Sequence, residues 1–393
     1  MTVLHRARLA VLSALAVTVA VSFASTGTEV EGAASDFQAD LAARVAQLRD
    51  DTGLTAVAAA AIVDGELAGA AASGERRRDS GISVTVDDRW HVGSITKSMT
   101  ATLLAVLQED GLLSADDALS VLLPDIEMAG GWSNCTLHHL LTHTAGAPAN
   151  FPIESQQVWP DTPEELVAER RRFVADVLSE EPESPCGESF VYSNVGYTIA
   201  GHIAETVAGE PYQALIQNRV FVPLALMSAG FGAPRGEYPD QEPVGHQVMW
   251  GRRFPRDPFE TRADNTPLIA PAGTVHMTLG DLARYGAVHL QGEYGTEDEP
   301  VLLTRSSWQR LHTPFLDGYA GGWVLYERDW AGGSVIWHNG SNTLWYALLM
   351  LLPVRNTVLA FVTNDGAIET ADSAFVELAA ELAAELAPSA PGS

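Results

Sequence analysis

The sequence predicts an α+β fold in which one antiparallel sheet forms from both ends of the chain. Asp64-Gly65, a dipeptide typical of hairpin turns, separates two apolar strand-like runs, residues 55–63 and 67–72. Four further strand-like segments lie near the C-terminus, at residues 322–327, 334–339, 344–352 and 357–363. Between these groups, strand signals are sparse and helical patterns dominate from residue 112 to 264. We therefore expect a helix-flanked sheet with a mostly helical insert.

The helices are predicted from apolar residues that recur every three to four positions. Leu41, Val45 and Leu48 lie on one face of a helix over residues 36–49. A second helix should begin at Ser94 and stop before Gly111. The same patterns predict helices at residues 137–142, 163–178, 195–207, 211–220, 278–290 and 371–386.

Composition supports a folded core and excludes two classes of partner. Hydrophobic residues make up 46% of the chain, and the net charge is −27, with 50 acidic against 23 basic residues. Nucleic acids and anionic membrane surfaces require a basic face, so neither is an expected partner. The partner should instead be a small molecule or a short peptide. The oligomeric state stays open.

The N-terminus has the pattern of an export signal. Arg6 and Arg8 precede an uncharged apolar stretch, residues 9–24, which ends in a small-x-small cleavage site. We expect residues 1–24 to be a signal peptide, with an alternative cleavage near residue 34. The mature chain would be secreted or periplasmic, without stable membrane insertion, since no later apolar run is long enough to span a bilayer. The Ala/Pro/Gly/Ser segment 388–393 should be a flexible tail.

The chain has two cysteines, Cys135 and Cys186. In an exported protein they would pair in a disulfide, but two buried thiols are an equal alternative.

Lys97 is the single lysine of the chain, since the other 22 basic residues are arginines. A guanidinium stays charged in proteins, whereas a buried amine can lose its proton and act as a base. Ser94 lies three residues earlier, within one helical turn, so the lysine can reach its hydroxyl. Backbone N–H groups at the start of that helix are free to bind an oxyanion. Ser94 and Lys97 are therefore candidate catalytic residues.

Two later segments supply candidate partners. Tyr192 could relay a proton or act as a base, and Asn194 could fix both the lysine and a substrate carbonyl. On a late strand, His338 is followed by Gly340, which would let a ligand approach the backbone, and by Ser341, whose N–H would be a second oxyanion donor.

In this order and spacing, the segments resemble the penicillin-recognising serine hydrolases related to class C β-lactamases. This group includes DD-carboxypeptidases, family VIII carboxylesterases and D-amino-acid amidases. The matching stretches are Trp90-His91-Val92-Gly93-Ser94-Ile95-Thr96-Lys97, Leu140-Leu141-Thr142-His143-Thr144-Ala145-Gly146, Phe190-Val191-Tyr192-Ser193-Asn194 and His338-Asn339-Gly340.

The resemblance implies the β-lactamase/transpeptidase-like fold, with residues 36–387 forming a single catalytic unit. It implies that Ser94 is the acylated nucleophile and that Lys97 and Tyr192 share the base role, with the deprotonated one unsettled. His338 would replace a lysine that adds positive potential, and Asn339 would replace a carboxylate-binding threonine. Both departures favour a peptidase, amidase or esterase over a β-lactamase. A module that binds penicillin without turnover is a further alternative.

No metal or organic cofactor is expected. His139 and His143 have the i, i+4 spacing of zinc ligands on a helix, close to His138. However, no glutamate follows His139, and a further ligand is not evident.

Overall fold

The computed structural model describes residues 28–152, 155, 157–259, 263–295 and 301–386. A six-stranded antiparallel sheet is the centre of the fold, and both chain ends contribute to it, as predicted. Its strand order is β2-β1-β11-β10-β9-β8. The strands are β1 (Ala56–Val63), β2 (Glu66–Gly74), β8 (Val324–Arg328), β9 (Gly333–Ser341), β10 (Tyr346–Leu352) and β11 (Thr357–Thr363).

The turn between β1 and β2 confirms the hairpin predicted from the sequence. Asp64 and Gly65 have φ values of 52° and 83°, the left-handed conformation that two-residue hairpin turns require. β1 then pairs with β11, so that Val57 lies opposite Thr363 and Val63 opposite Thr357. This pairing joins the N-terminal hairpin to the C-terminal strands.

Two helices cover one face of the sheet, α1 (Thr28–Thr52) and α11 (Ile368–Glu385). Val335, Leu348 and Phe361 of the sheet pack with them in one hydrophobic cluster. The opposite face packs against the remaining helices in a larger cluster that includes Ile336 and Leu349. Successive side chains of a strand therefore pack on opposite faces of the sheet, as expected because side-chain direction alternates along a β-strand.

The helices of the second layer are α2 (Thr96–Glu109), α3 (Leu119–Leu122), α4 (Leu137–Leu141), α5 (Pro163–Leu178), α6 (Asn194–Ala208), α7 (Tyr212–Ile216), α8 (Ala270–Gly273), α9 (Leu279–Tyr294) and α10 (Arg305–Leu311). Ser193 caps α6, since its hydroxyl accepts a hydrogen bond from the Gly196 N–H. The left-handed Gly209 ends the same helix.

The middle of the chain also contains strands that the sequence analysis missed. A hairpin of β5 (Gly245–Met249) and β6 (Arg252–Arg256) lies within the predicted helical insert. A small sheet has the order β3-β7-β4, formed by β3 (Arg89–His91), β4 (Gly230–Phe231) and β7 (Val275–Thr278). The pairing of β3 with β7 continues up to the turn that carries Ser94, because Val92 N–H donates to the carbonyl of Val275.

Cys135 and Cys186 form a disulfide, with their Cα atoms 5.4 Å apart. The bond joins the segment before α4 to the loop that leads into α6. The sequence left open a disulfide or two buried thiols, and the structure has the disulfide.

The predicted signal peptide, residues 1–24, and the predicted tail, residues 388–393, lie outside the described residues. Within the described part of the chain, no helix is both long enough and apolar enough to span a membrane.

Candidate active site

Ser94 lies in a 3₁₀ turn, Gly93–Ile95, directly before α2. The sequence prediction began the α-helix at Ser94, two residues before its observed start at Thr96. Ile95 and Met99 are fully buried and anchor this segment in the core. Gly93 has a φ of 53°, which L-residues with a side chain rarely adopt. The turn therefore holds Ser94 at the edge of the core, where it lines a cleft.

Lys97 is fully buried, and three oxygen atoms surround its Nζ atom. Nζ lies 2.7 Å from Oδ1 of Asn194, 2.7 Å from the carbonyl oxygen of Ala272 and 3.0 Å from Oγ of Ser94. The helical spacing of Ser94 and Lys97 thus brings the two side chains together as predicted.

Burial lowers the pKa of Lys97 well below its usual value of 10.5, because a charged amine loses its hydration in the core. In the neutral form the amine has two N–H donors and one lone pair. The oxygens of Asn194 and Ala272 can only accept, so they take both donors. The lone pair is then left for the Ser94 hydroxyl, which is the geometry a general base needs.

Tyr192 and Asn194 lie where α6 begins, next to Lys97. Nζ of Lys97 is 4.7 Å from the centre of the Tyr192 ring. Burial raises the pKa of Tyr192 well above its usual value, although a hydrogen bond with Ser94 partly opposes this shift. The phenol is therefore protonated near neutral pH. Asn194 also donates from Nδ2 to Oδ1 of Asn150, which fixes the amide orientation.

His338 is neutral in this site, so the third motif, His338-Asn339-Gly340, supplies no positive charge. Burial, together with the nearby Lys97, lowers the pKa of His338 to about 3. Its Nδ1 bonds to the carbonyl of Asn339, which can only accept, so Nδ1 carries the proton. Nε2 therefore accepts from the Tyr319 hydroxyl at 3.1 Å. The motif contributes hydrogen bonds and shape, without charge.

Asn339 faces away from Ser94. Strand alternation directs it to the α1/α11 side of the sheet, whereas His338 faces the other side. Its Nδ2 donates to the hydroxyl of Tyr346, which contacts the side chain of Asp372 on α11. Asn339 therefore offers no side-chain group to a ligand beside Ser94.

Gly340 packs against the serine turn. A Cβ atom on Gly340 would lie 2.1 Å from the carbonyl oxygen of Val92 and 2.4 Å from the backbone nitrogen of Ser94. Likewise, a Cβ on Gly93 would lie 2.2 Å from the backbone nitrogen of Ser341. The glycine was expected to admit a ligand, but protein backbone occupies the space beside it. This close approach brings the backbone nitrogens of Ser94 and Ser341, the predicted oxyanion donors, side by side.

A cleft of about 670 Å³ opens beside Ser94. Asn150 and Asn194 form one wall, the loop 263–266 and α8 form another, and residues 341–344 form a third. Gln247 and Arg256 of the β5–β6 hairpin also line it, together with the neighbouring Asp257. The predicted residues Ser94, Asn194 and Ser341 thus share one cavity that is wide enough for a small molecule or the end of a peptide.

The histidines considered as zinc ligands have other partners. The helix α4 ends at Leu141, so His143 does not lie one turn beyond His139 on a continuous helix. Nδ1 of His139 accepts from the Thr136 backbone, and Nδ1 of His143 accepts from the backbone of Ser193. In the described residues, no group of three or more His, Cys, Asp or Glu side chains is arranged to hold a metal ion.

Three groups of the site were missed by the sequence analysis: Tyr319, the Ala272 carbonyl and Asn150. The His143 ring packs against both Tyr192 and Tyr319, with ring centres 4.3 and 4.5 Å away, and so holds Tyr192 in place. No local pattern marks these groups, because each reaches the site through tertiary packing.

Comparisons with known proteins agree with this geometry. The sequence model of the family described as Beta-lactamase matches residues 41–382. The chain is 29% identical to Penicillin-binding protein 4 of Amycolatopsis lactamdurans, over 86% of this chain and 88% of that protein. It is 22% identical to Protein flp of Staphylococcus aureus, of which it spans 55%.

Solved structures give the same result. A D-stereospecific amidohydrolase from Streptomyces sp. is 25% identical and has a TM-score of 0.66, over 86% of this chain and 97% of that one. A β-lactamase from Sulfitobacter sp. EE-36 is 20% identical with a TM-score of 0.72, over 90% and 99%. The chain belongs to the β-lactamase family of serine hydrolases and has its fold.

Proposed function

We propose that the chain is an exported hydrolase that forms an acyl-enzyme on Ser94 and cleaves the amide or peptide bond of a substrate containing a D-amino acid. One observation carries the proposal. Nζ of Lys97 lies 2.7 Å from two carbonyl oxygens that can only accept and 3.0 Å from Oγ of Ser94, so the deprotonated amine directs its lone pair at this hydroxyl. A base in this position activates the serine for attack on a carbonyl.

The reaction would proceed in two halves. As the Ser94 oxygen bonds to the substrate carbonyl carbon, its proton passes to Nζ of Lys97. The N–H groups of Ser94 and Ser341 stabilise the oxyanion. The C–N bond then breaks, and the leaving amine receives the proton from Lys97, with the Tyr192 hydroxyl as the relay. Water hydrolyses the resulting ester and restores Ser94. A small ester would react by the same steps.

The directions of the pKa shifts support Lys97 as the base and Tyr192 as the relay. Burial lowers the pKa of the lysine and raises that of the tyrosine. The amine therefore loses its proton more readily than the phenol does in this environment.

The substrate class rests on two kinds of support. The relatives include a D-stereospecific amidohydrolase and a penicillin-binding protein. Within this chain, His338 is neutral and Asn339 faces the opposite side of the sheet, so the third motif offers no charge and no side-chain hydroxyl to a β-lactam carboxylate. Both features favour an amidase or peptidase over a β-lactamase.

Export is supported by the N-terminal sequence and by the disulfide. Arg6 and Arg8 with the apolar residues 9–24 form the signal pattern. The bond between Cys135 and Cys186 suits an oxidising compartment, because reduced thiols predominate in the cytosol.

A second candidate is a module that acylates with penicillin but hydrolyses the adduct very slowly. The likeness to Penicillin-binding protein 4 over 86% of the chain favours it. Its active-site chemistry would be the same up to the acyl-enzyme, so the rate of deacylation separates the two functions.

The test is hydrolysis of a D-alanyl-D-alanine peptide, a D-amino-acid amide, nitrocefin and a p-nitrophenyl ester, with Ser94→Ala as control. We expect turnover of the peptide or amide, lost in the variant. Labelled penicillin, followed by mass spectrometry, should form an adduct on Ser94 that decays within minutes. A lasting adduct would establish the binding module. Hydrolysis that persists in Ser94→Ala would overturn the proposal.

A further inference from the structure

Asp264 lies in the cleft wall, and its side chain is almost completely buried, with 4% exposed. Its carboxylate accepts three hydrogen bonds. Nε2 of His91 lies 3.1 Å from Oδ2, Nδ2 of Asn342 lies 2.7 Å from Oδ1, and the backbone nitrogen of Asn265 lies 2.7 Å from the same oxygen. A buried carboxylate with three donors is a rigid, well-compensated group. The reaction steps proposed above do not use it.

Through His91, the carboxylate reaches the serine turn. Nδ1 of His91 accepts from the backbone N–H of Gly93, at 3.1 Å. Because Nδ1 accepts, Nε2 carries the ring proton and donates it to Asp264. The imidazole is fully buried and stacks on Trp345, with ring centres 5.7 Å apart. A fixed chain of bonds therefore links Asp264 to Gly93, the residue before Ser94.

Through Asn342, the same carboxylate reaches the end of β9. Asn342 follows Ser341, and its Oδ1 accepts from the backbone N–H groups of Leu344 and Trp345. Its amide thus has both ends occupied, and the turn after Ser341 is held against the loop that carries Asp264. Asp264 is thus bonded to the serine turn through His91 and to the end of β9 through Asn342. These two segments supply the backbone N–H groups of Ser94 and Ser341.

We propose that Asp264 is a positioning residue that fixes the two halves of the oxyanion site relative to each other. This inference rests on the proposed acyl-enzyme function. One carboxylate bridges the two segments beside the place where Gly93 packs against Ser341 and Gly340 packs against Ser94. The donors must be placed within a fraction of an ångström of the developing oxyanion, and a misplacement of about 1 Å costs about 100-fold in rate.

Asp264→Asn tests the proposal. The amide has the same size, but its NH₂ group is a donor and cannot accept the hydrogen bond from His91 or Asn342, so one of these two bonds is lost. We expect kcat to fall ~10- to 100-fold with KM nearly unchanged, since the donors act mainly on the transition state. Affinity for a boronic acid that forms a tetrahedral adduct on Ser94 should fall in parallel. A change that only destabilised the fold would lower the melting temperature without this pattern.

Asp281→Asn is the matched control. The Asp281 carboxylate also accepts hydrogen bonds, from the backbone N–H and the hydroxyl of Ser228, but it lies in the first turn of α9 and is not one of the residues that line the cleft. This variant should keep wild-type kcat and boronate affinity. Asp264→Ala provides a rescue arm, in which added formate should restore part of kcat and chloride should not.

If Asp264→Asn does not fold, Asn342→Ala decides, because it removes one link only and should show the same loss on a smaller scale. Wild-type kcat and boronate affinity in whichever of the two variants folds would overturn the inference. The proposed function has its own test, since hydrolysis by Ser94→Ala defeats it whatever Asp264 does. An inactive Ser94→Ala beside a fully active Asp264→Asn would defeat the positioning role alone.

Discussion

Replacing Lys97 with arginine separates positive charge from the ability to lose a proton. The guanidinium keeps the charge of a protonated lysine, but it has no lone pair to accept the Ser94 proton. In the wild type, the carbonyl oxygens of Asn194 and Ala272 lie 2.7 Å from Nζ and occupy its two N–H donors. An arginine at this place can satisfy those oxygens and still leaves Ser94 without a base.

The expected loss follows from the size of general-base catalysis. Removing a positioned base lowers the rate about 100- to 10,000-fold. This loss corresponds to about 3 to 5 kcal/mol in the barrier to acylation, at 1.36 kcal/mol for each factor of ten. Acylation should be slowed, while the overall fold remains intact.

The assay is the rate of Ser94 modification by a fluorophosphonate, followed by mass spectrometry, with thermal unfolding as the check on the fold. A chemical control is available because the chain has two cysteines and both lie in one disulfide. Lys97→Cys therefore has a single free thiol, and its alkylation with 2-bromoethylamine returns an amine at nearly the original position. Alkylation should restore acylation. Near-normal labelling of the Lys97→Arg variant would refute the base role of Lys97.

Two further predictions concern charge and stability. The His338 ring should stay neutral between about pH 5 and 8, because burial lowers its pKa to about 3. NMR of ¹⁵N-labelled histidine measures the protonation of this ring, and the His338→Gln variant assigns its signal. A titration midpoint near the usual 6.5 for this ring would contradict the prediction. Replacing Cys135 and Cys186 together by serine should lower the free energy of unfolding by about 4 kcal/mol, because their bond closes a loop of 51 residues. Urea denaturation measures this loss, and an unchanged midpoint would argue against the cross-link.

The large sheet was predictable because its strands are long, apolar and bounded by turns. β11 was predicted to the residue, since Pro353 and the left-handed Asn356 end the preceding strand and every residue of Thr357–Thr363 is buried. The β5–β6 hairpin was missed because β6 contains three arginines and a proline, Pro255, and its exposed residues do not alternate with buried ones. The strands of the small sheet, of two to four residues, exist through their partners in space.

The candidate site divides in the same way. Ser94 and Lys97 were predictable because both lie within one turn of backbone, where spacing alone decides whether two side chains meet. Tyr319 and the Ala272 carbonyl were not, since they come from distant segments without a distinctive pattern. The protonation state of His338 could not be predicted, because a sequence does not report burial and burial is the main cause of its lowered pKa.

Because the third motif carries no charge, a cation that could bind a substrate carboxylate must come from another part of the cleft. Asp264 is engaged with three donors, and Asp257 lies near Arg77. Among the described residues that line the cleft, Arg256 is the cationic one, and the partner of its guanidinium is the uncharged side chain of Gln247. A buried neutral histidine offers a substrate carboxylate no attraction, whereas a guanidinium can bind one through two hydrogen bonds. We therefore propose that Arg256, on the β5–β6 hairpin, is the group that would bind a substrate carboxylate at this cleft.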